Sequence, residues 1–315
     1  MKIVFFGTPD YVLPILNSLH KANISGPGES PIAAVVTQGP KRAGRKQILS
    51  YSPVDSWAHK RKIPIFHSGK EFLEAEIKAD FGVLAAYGEV IPSTVIKLFP
   101  HGILNIHPSI LPKYRGASPV QAALAEGDRA TGVTIIKIDE RVDHGPIVSQ
   151  FTEDILPRDS LGTLRERLFA RAAEALTSLI KPYLKGKIKL REQNHGEATY
   201  TTLVEKGDGF IPPEYLGTAL QGDSFKGEWK IPFIKDFSQK PSAGAIERFI
   251  RSLDPWPGAW TLLRLSASEG QAKRLKILKA HLDGEKLVLD EVQLEGKNPV
   301  SWKEFLAGYP KVAFA

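Results

Sequence analysis

The chain has no cysteine in its 315 residues, which removes disulfides, thiolate metal sites and thiol nucleophiles together. A protein of this length then rests on apolar burial, and the length suits two domains with cores of their own. Also missing is any apolar run long enough to cross a bilayer. The opening Met1-Lys2, followed by a short strand and Gly7, does not read as a signal peptide. The first turn, Gly7-Thr-Pro-Asp10, has a single glycine where a dinucleotide fingerprint needs several, which argues against a nicotinamide cofactor. The eight histidines are scattered, and His101, His107 and His144 lack the His-x-x-x-His spacing of a helical metal site. There is no repeat and no low-complexity tail. These absences lead us to expect a soluble, cytoplasmic protein without a metal; a monomer is expected as well, although no feature of the sequence decides it.

What the chain does have is concentrated between Asn105 and Gly116, reading NIHPSILPKYRG. A hydrophobic run from Phe99 to Leu104 leads into Asn105-Ile-His107, then into a proline-bounded loop closed by Arg115 and Gly116. If Gly102 to Ile106 is extended, period-two geometry sets Asn105 and His107 on one face. That face would lie at a strand end, where open parallel sheets gather ligands and chemistry. A helix-capping Asn beside a surface His is the plainer alternative.

A second strand-like segment, Thr131 to Ile138, runs into the polar turn Asp139-Glu-Arg-Val-Asp143-His-Gly145 and then the apolar pair Ile147-Val148. A carboxylate at Asp143 can face the Asn/His pair across a crevice, although Asp near Gly is also ordinary turn chemistry. Together the three make an acyl-transfer site that needs no covalent nucleophile. The amide and an imidazolium stabilise an oxyanion, while the carboxylate orients the ring and supports its charge. His144 is expected to point away from Asp143, because adjacent side chains diverge on extended backbone.

Charge is unevenly spread. Through Leu190 the chain carries 25 Lys and Arg against 18 Asp and Glu, and after it 17 against 17, so the net +7 belongs to the first part. Lys41-Arg-Ala-Gly-Arg-Lys46 packs four cations into six residues. As a loop between a strand at Ile32 to Thr37 and Ser52-Pro-Val, it would either lie along a phosphate backbone or simply be a solvated surface loop.

Strand-like and helix-like stretches alternate through the first half. Lys2 to Phe6, Ile32 to Thr37 and Phe81 to Ala86 read as strands. Tyr11 to His20, Ser93 to Lys97, Ala117 to Ala125 and Leu161 to Leu184 read as helices. The alternation predicts an α/β fold with a doubly wound, mostly parallel sheet. Lys185 to Gly196 is polar and reads as a linker. Beyond it lie one helix, Ser242 to Leu253 with Ala245, Ile246, Phe249 and Ile250 inward, and short strands at Gly258 to Leu265, Leu275 to His281, Lys286 to Leu289 and Val292 to Leu294. That pattern suits a small antiparallel barrel, with Trp256 and Trp260 as core aromatics. The division expected is a catalytic domain over 1–187, a linker over 188–204 and a second domain over 205–315.

The ordered motif Asn-x-His-x-Ser-x-Leu-Pro-x-x-Arg-Gly, with Asp143-His-Gly145 about 30 residues later, resembles the folate-dependent formyltransferases. Lys2-Ile-Val-Phe-Phe-Gly-Thr-Pro-Asp10, Ala85-Ala-Tyr-Gly88, Thr131-Gly-Val-Thr134 and Asp254-Pro-Trp-Pro257 extend the likeness almost end to end. The resemblance implies a Rossmann-like catalytic domain followed by an OB-like barrel. It implies transfer of a formyl group from 10-formyltetrahydrofolate to the methionine amine of initiator methionyl-tRNA. It also implies that Asn105, His107 and Asp143 are catalytic, that Ser109, Ile110, Leu111 and Pro112 contact folate, and that Lys41, Arg42, Arg45 and Lys46 lie on the tRNA side. Arg115 and Gly116 are expected to shape the loop rather than react. The basic run departs from the family's pattern by one lost glycine, and Tyr200 to Lys235 carries little of it. Two alternatives stay open: a formyltransferase using the same donor on an amino-sugar nucleotide or other small amine, and a catalytically silent RNA-binding protein.

Overall fold

Every residue of the strand Ile3–Gly7 is buried, an apolar run of the kind found inside a parallel sheet covered on both faces. The computed structural model describes residues 1–22, 30–43, 47–223, 225–265 and 271–314, and this strand lies near the middle of its seven-stranded sheet. Across the sheet the strands run Ile147–Asp154, Ala130–Lys137, Ile103–His107, Phe81–Ala85, Ile3–Gly7, Ile32–Val36 and Ile65–Phe66. The pairings from Ile103–His107 to Ile65–Phe66 are parallel, and Ala130–Lys137 runs antiparallel to Ile103–His107. The sheet is therefore mostly parallel, as the alternating pattern predicts. Phe6 anchors one core, meeting Phe72, Tyr87 and Phe99 edge-on at centroid distances of 5.9, 6.0 and 6.0 Å, the offset geometry aromatic rings favour.

The chain condenses into two compact units, each drawn from several stretches. The first contains Met1–Arg115, Thr131–Glu153 and Arg165–Thr199; the second contains Gly116–Ala130, Asp154–Leu164 and Tyr200–Ala315. The second unit holds a five-stranded antiparallel sheet ordered Val300–Ser301, Lys286–Leu294, Lys273–Asp283, Ala259–Arg264 and Ala313–Phe314. Helix Ala243–Ser252 buries Ala245, Ile246, Phe249 and Ile250, the stripe its spacing predicts, and Ser242 caps it by accepting from the Ala245 amide.

Several expectations are corrected. Lys286 to Leu294 is one strand rather than two. Ile277 pairs with Val292, Lys279 with Glu291 and Ala280 with Leu289, so the register shifts twice, skipping Leu278 and Asp290, and the phase of the apolar pattern slips there. The helix expected from Tyr11 starts as a 3-10 turn at Asp10–Val12 and becomes α-helical at Leu13–Lys21. Trp256 is 51 % exposed rather than in the core, and Trp260 is half-buried beneath the Arg274 guanidinium at 4.0 Å. The basic segment is not a plain loop: Lys41–Ala43 pairs antiparallel with Ile48–Ser50. Helices Pro53–His59, Gly69–Glu74, Pro213–Gln221 and Trp302–Gly308 carry too few apolar positions each to stand out by period. Among the described residues, no helix is long and apolar enough to cross a membrane.

Candidate active site

Strand Ile103–His107 is flanked on both sides, with Leu84 opposite Asn105 on one neighbour and Thr134 opposite His107 on the other. Its alternation puts Ile103, Asn105 and His107 on one face. Asn105 and His107 are only 8 % and 4 % exposed, so their polar atoms need partners within the fold. Both find one in Asp143. The Asn105 amide donates to Asp143 Oδ1 at 3.0 Å, and His107 Nδ1 stands 3.5 Å from the same oxygen. The other ring nitrogen, Nε2, donates to the Tyr114 carbonyl at 3.0 Å. Oxygen atoms thus face both ring nitrogens. The Nδ1 contact is longer than a hydrogen bond, which leaves that edge able to share its proton with an incoming oxygen.

Asp143 sits at φ +50°, the left-handed region that a non-glycine residue occupies only when its surroundings hold it there. Two residues on, a Cβ at Gly145 would strike the Lys137 carbonyl, so the turn packs tightly on the end of strand Ala130–Lys137. Gln193, 5 % exposed, donates from its side-chain amide to the Asp143 carbonyl at 2.9 Å and the Gly145 carbonyl at 2.8 Å. Its oxygen accepts from Arg115 at 2.9 Å. The segment read as a linker is therefore stitched to the first unit, with Arg191 bridging to Ile147 in both directions at 2.7 and 3.0 Å.

The loop after His107 is tied to itself and to the neighbouring strand Ala130–Lys137. Ser109 Oγ donates to the Lys113 carbonyl at 2.6 Å. Thr134 Oγ1 donates to the Ser109 carbonyl at 2.6 Å and accepts from the Leu111 amide at 3.1 Å. Leu111 is buried against Ile136 and Ile147, whereas Ile110 and Pro112 are half-buried. Gly7-Thr8 and Tyr87, which belong to separate motifs, also meet, with Thr8 Oγ1 donating to the Tyr87 carbonyl at 2.9 Å.

Beside Asp143, His144 bonds Asp139 at 2.6 Å, although the backbone at Asp143 is left-handed and not the extended chain from which its divergence is expected. Burial opposes ionisation of Asp139, but this hydrogen bond and the Arg141 amide prevail and hold its carboxyl below the ordinary value. His144 also stacks on His195, with ring centroids 3.9 Å apart and planes within 1°. The stacked ring takes water from one face of the otherwise exposed His195. That desolvation, with the charges of His144 and Arg115, lowers its pKa. Of the basic run, Lys41 and Arg42 are exposed; Lys41 donates to the Gln38 side chain at 2.8 Å and Arg42 to the Gln47 carbonyl at 3.2 Å. Arg45 and Lys46 lie outside the described residues.

The structure thus brings Asn105, His107 and Asp143 together, places Ser109 to Pro112 in the adjoining loop, and puts Lys41 and Arg42 on a short strand paired with Ile48–Ser50. Sequence reasoning missed Gln193, which sits in a polar stretch whose composition carries no periodic signal, and the Tyr114 carbonyl, which no side-chain pattern reveals. Among the described residues, no group of three or more His, Cys, Asp or Glu is placed to hold a metal ion.

Residues 1–180 match the formyl transferase family, and residues 236–287 match the formyl transferase C-terminal domain. A methionyl-tRNA formyltransferase of Chloroflexus aggregans is 33 % identical over 332 residues, covering 98 % of this chain and 97 % of the relative. One from Desulfotalea psychrophila is 32 % identical over 331 residues, covering 98 % and 93 %. Among solved structures, a methionyl-tRNA formyltransferase from Clostridium thermocellum superimposes with TM-score 0.56 at 18 % identity, covering 93 % of this chain and 98 % of that one. An N-formyltransferase from Helicobacter canadensis, in complex with folinic acid and dTDP-3-aminofucose, gives TM-score 0.63 at 15 % identity, covering 96 % and 98 %. At these identities the two structures speak to the fold alone.

Proposed function

The chain belongs to the formyl transferase family, and we propose that it moves a formyl group from 10-formyltetrahydrofolate to the α-amine of the methionine on initiator tRNA. The observation that carries this reading is the convergence of the Asn105 amide and the His107 ring on one Asp143 oxygen. Relatives named methionyl-tRNA formyltransferase, at about a third identity over nearly the whole chain, favour this acceptor.

The folate donor supplies an activated formyl carbon. The amine nitrogen bonds to that carbon, the bond to N10 breaks, and a proton passes from the amine to the departing nitrogen. As negative charge gathers on the formyl oxygen, the second N–H of Asn105 and the Nδ1 edge of His107 stabilise it. Donors fixed before the reaction cost no reorganisation during it. Asp143 holds both donors and offers a base for the amine proton, directly or through water. These polar groups, with half-buried Ile110 and Pro112 beside them, fit such a donor: the apolar pair suits an aromatic ring, while Ser109 and Leu111 hold the loop's shape. The basic run is assigned to the tRNA side, the antiparallel sheet of the second unit to an OB-like domain, and the protein to translation initiation in the cytoplasm.

The test is formylation, with one folate donor, of charged initiator tRNA, charged elongator tRNA and an amino-sugar nucleotide. Initiator tRNA should be formylated fastest by a wide margin. Preferential formylation of the amino sugar would replace the acceptor, and no transfer to any of the three would overturn the enzymatic reading.

A further inference from the structure

Gln193 lies far along the chain from the motif residues, yet every hydrogen-bonding group of its side chain is used at the edge of the site. An amide has two N–H donors and an accepting oxygen. Here the nitrogen serves the carbonyls of Asp143 and Gly145, and the oxygen receives the Arg115 guanidinium. Arg115 follows Tyr114, whose carbonyl holds the far side of the His107 ring. His107 is thus gripped between two groups, the Tyr114 carbonyl and the Asp143 carboxylate, and Gln193 joins the two chain segments that carry them. The bracket itself is fixed, because the Arg191–Ile147 bridge two residues earlier sets the register of this segment.

We propose that Gln193 is a positioning residue for formyl transfer, holding the left-handed turn at Asp143 so that its carboxylate meets Asn105 and His107. The proposal rests on the reading of Asp143 as part of the site. Without the two donors, the link that Gln193 makes from Arg115 to the turn is broken, and the carboxylate can shift. Displacement of about 1 Å in a catalytic group can cost on the order of 100-fold in rate. Gln193 reaches no reacting atom, so its influence must pass through Asp143.

The decisive experiment is a double-mutant cycle on the full chain. Gln193→Met keeps the length of the side chain and removes both donors. Gln193→Glu keeps the acceptor for Arg115 and turns oxygen toward the two carbonyls. Folding of each is checked by circular dichroism, and the pair guards against one failing to fold. We expect kcat to fall about tenfold to 100-fold in either variant, with the KM for the folate donor within about twofold. In an Asp143→Asn background the same substitution should cost little more, because residues acting as one unit are non-additive. Normal kcat in both variants, or a loss that multiplies in full on Asp143→Asn, overturns the positioning role. If Asp143→Asn itself turns over normally, the site reading fails and takes this proposal with it, an outcome distinct from the other two.

Discussion

The strand end at Asn105 and the paired strands Lys41–Ala43 and Ile48–Ser50 use polar groups in opposite ways. At the strand end the side chains are buried and bond back into the fold: Asn105 to Asp143, His107 to the Tyr114 carbonyl with the Asp143 carboxylate 3.5 Å from its other nitrogen, Ser109 to the Lys113 carbonyl. On the strand pair, Lys41 and Arg42 are exposed, and beside them Ile48 is 65 %, Leu49 49 % and Tyr51 53 % exposed. Burial with full pairing fixes geometry before a substrate arrives, which suits a small formyl group whose oxygen must meet two donors. Exposed cations beside exposed apolar side chains suit a surface that a large partner covers. Under the proposed function, the first region sets the rate of the chemistry and the second sets the capture of the acceptor.

The sharpest way to break that division is at the strand. Asn105→Ala and His107→Ala should each lower turnover roughly 100-fold or more, the usual scale for a lost oxyanion donor. Folate affinity should survive, since neither side chain is assigned to hold the donor's rings. Single-turnover formylation beside equilibrium folate binding separates the two effects. Near-normal turnover in either variant removes that residue from the site.

The strand pair should respond in binding rather than rate. Neutralising Lys41, Arg42, Arg45 and Lys46 together should weaken charged tRNA and flatten the salt dependence of its affinity. The log–log slope should fall by about 0.7 to 0.9 for every phosphate that is no longer neutralised. Affinity for the folate donor should change little. A salt series on wild type and the four-fold variant reads this directly. Equal slopes and equal affinities would mean that the acceptor is held elsewhere and that these cations serve only solubility.

The same contrast explains what could be read from sequence. Asn105 and His107 share a face because strand side chains alternate, and the strand itself stands out as an apolar run. The strands and helices of the parallel sheet are legible for the same reason. Asp143 is a turn residue, and only the ordered motif suggests that it faces the pair. Gln193 is not legible, since its role arises from a bridge to Ile147 and a buried guanidinium, both tertiary. Trp256 shows the converse: a large aromatic in an apolar context suggests a core, but the chain leaves it half in solvent. Helix Trp302–Gly308 does carry a sequence signal, because Ser301-x-x-Glu304 forms a capping box with both reciprocal bonds in place. The register shift at Leu278 and Asp290 carries none, because it shows only as a phase slip between Leu289 and Val292.

The smallest expected effect lies between the two regimes, at the stacked pair His144–His195. Its rings close over each other at the rim of the Asp143 turn, with His144 bonded to Asp139 and His195 beside Arg115. The folded pKa of His195 is lowered from the ordinary 6.5, first by desolvation and then by the neighbouring positive charges of His144 and Arg115. A histidine depressed in the folded state costs no stability above its unfolded value, where both states are neutral. As the pH falls through 6.5 the unfolded chain takes up the proton first, and stability is lost until the folded pKa is passed. Asp139, held low by His144 after burial is overcome, contributes stability above its unfolded value, lost only in more acid solution as the pH falls through its folded pKa. The stack should therefore loosen in mildly acid solution before the Asp139 carboxylate protonates. Histidine ring resonances followed by NMR should place the His195 midpoint below 6.5, and His144→Ala should move it back up by uncovering its face and removing a neighbouring charge. A midpoint at or above the ordinary value in the wild type would mean that the stack opens in solution and that the rim of the turn belongs with the exposed strand pair rather than with the buried strand end.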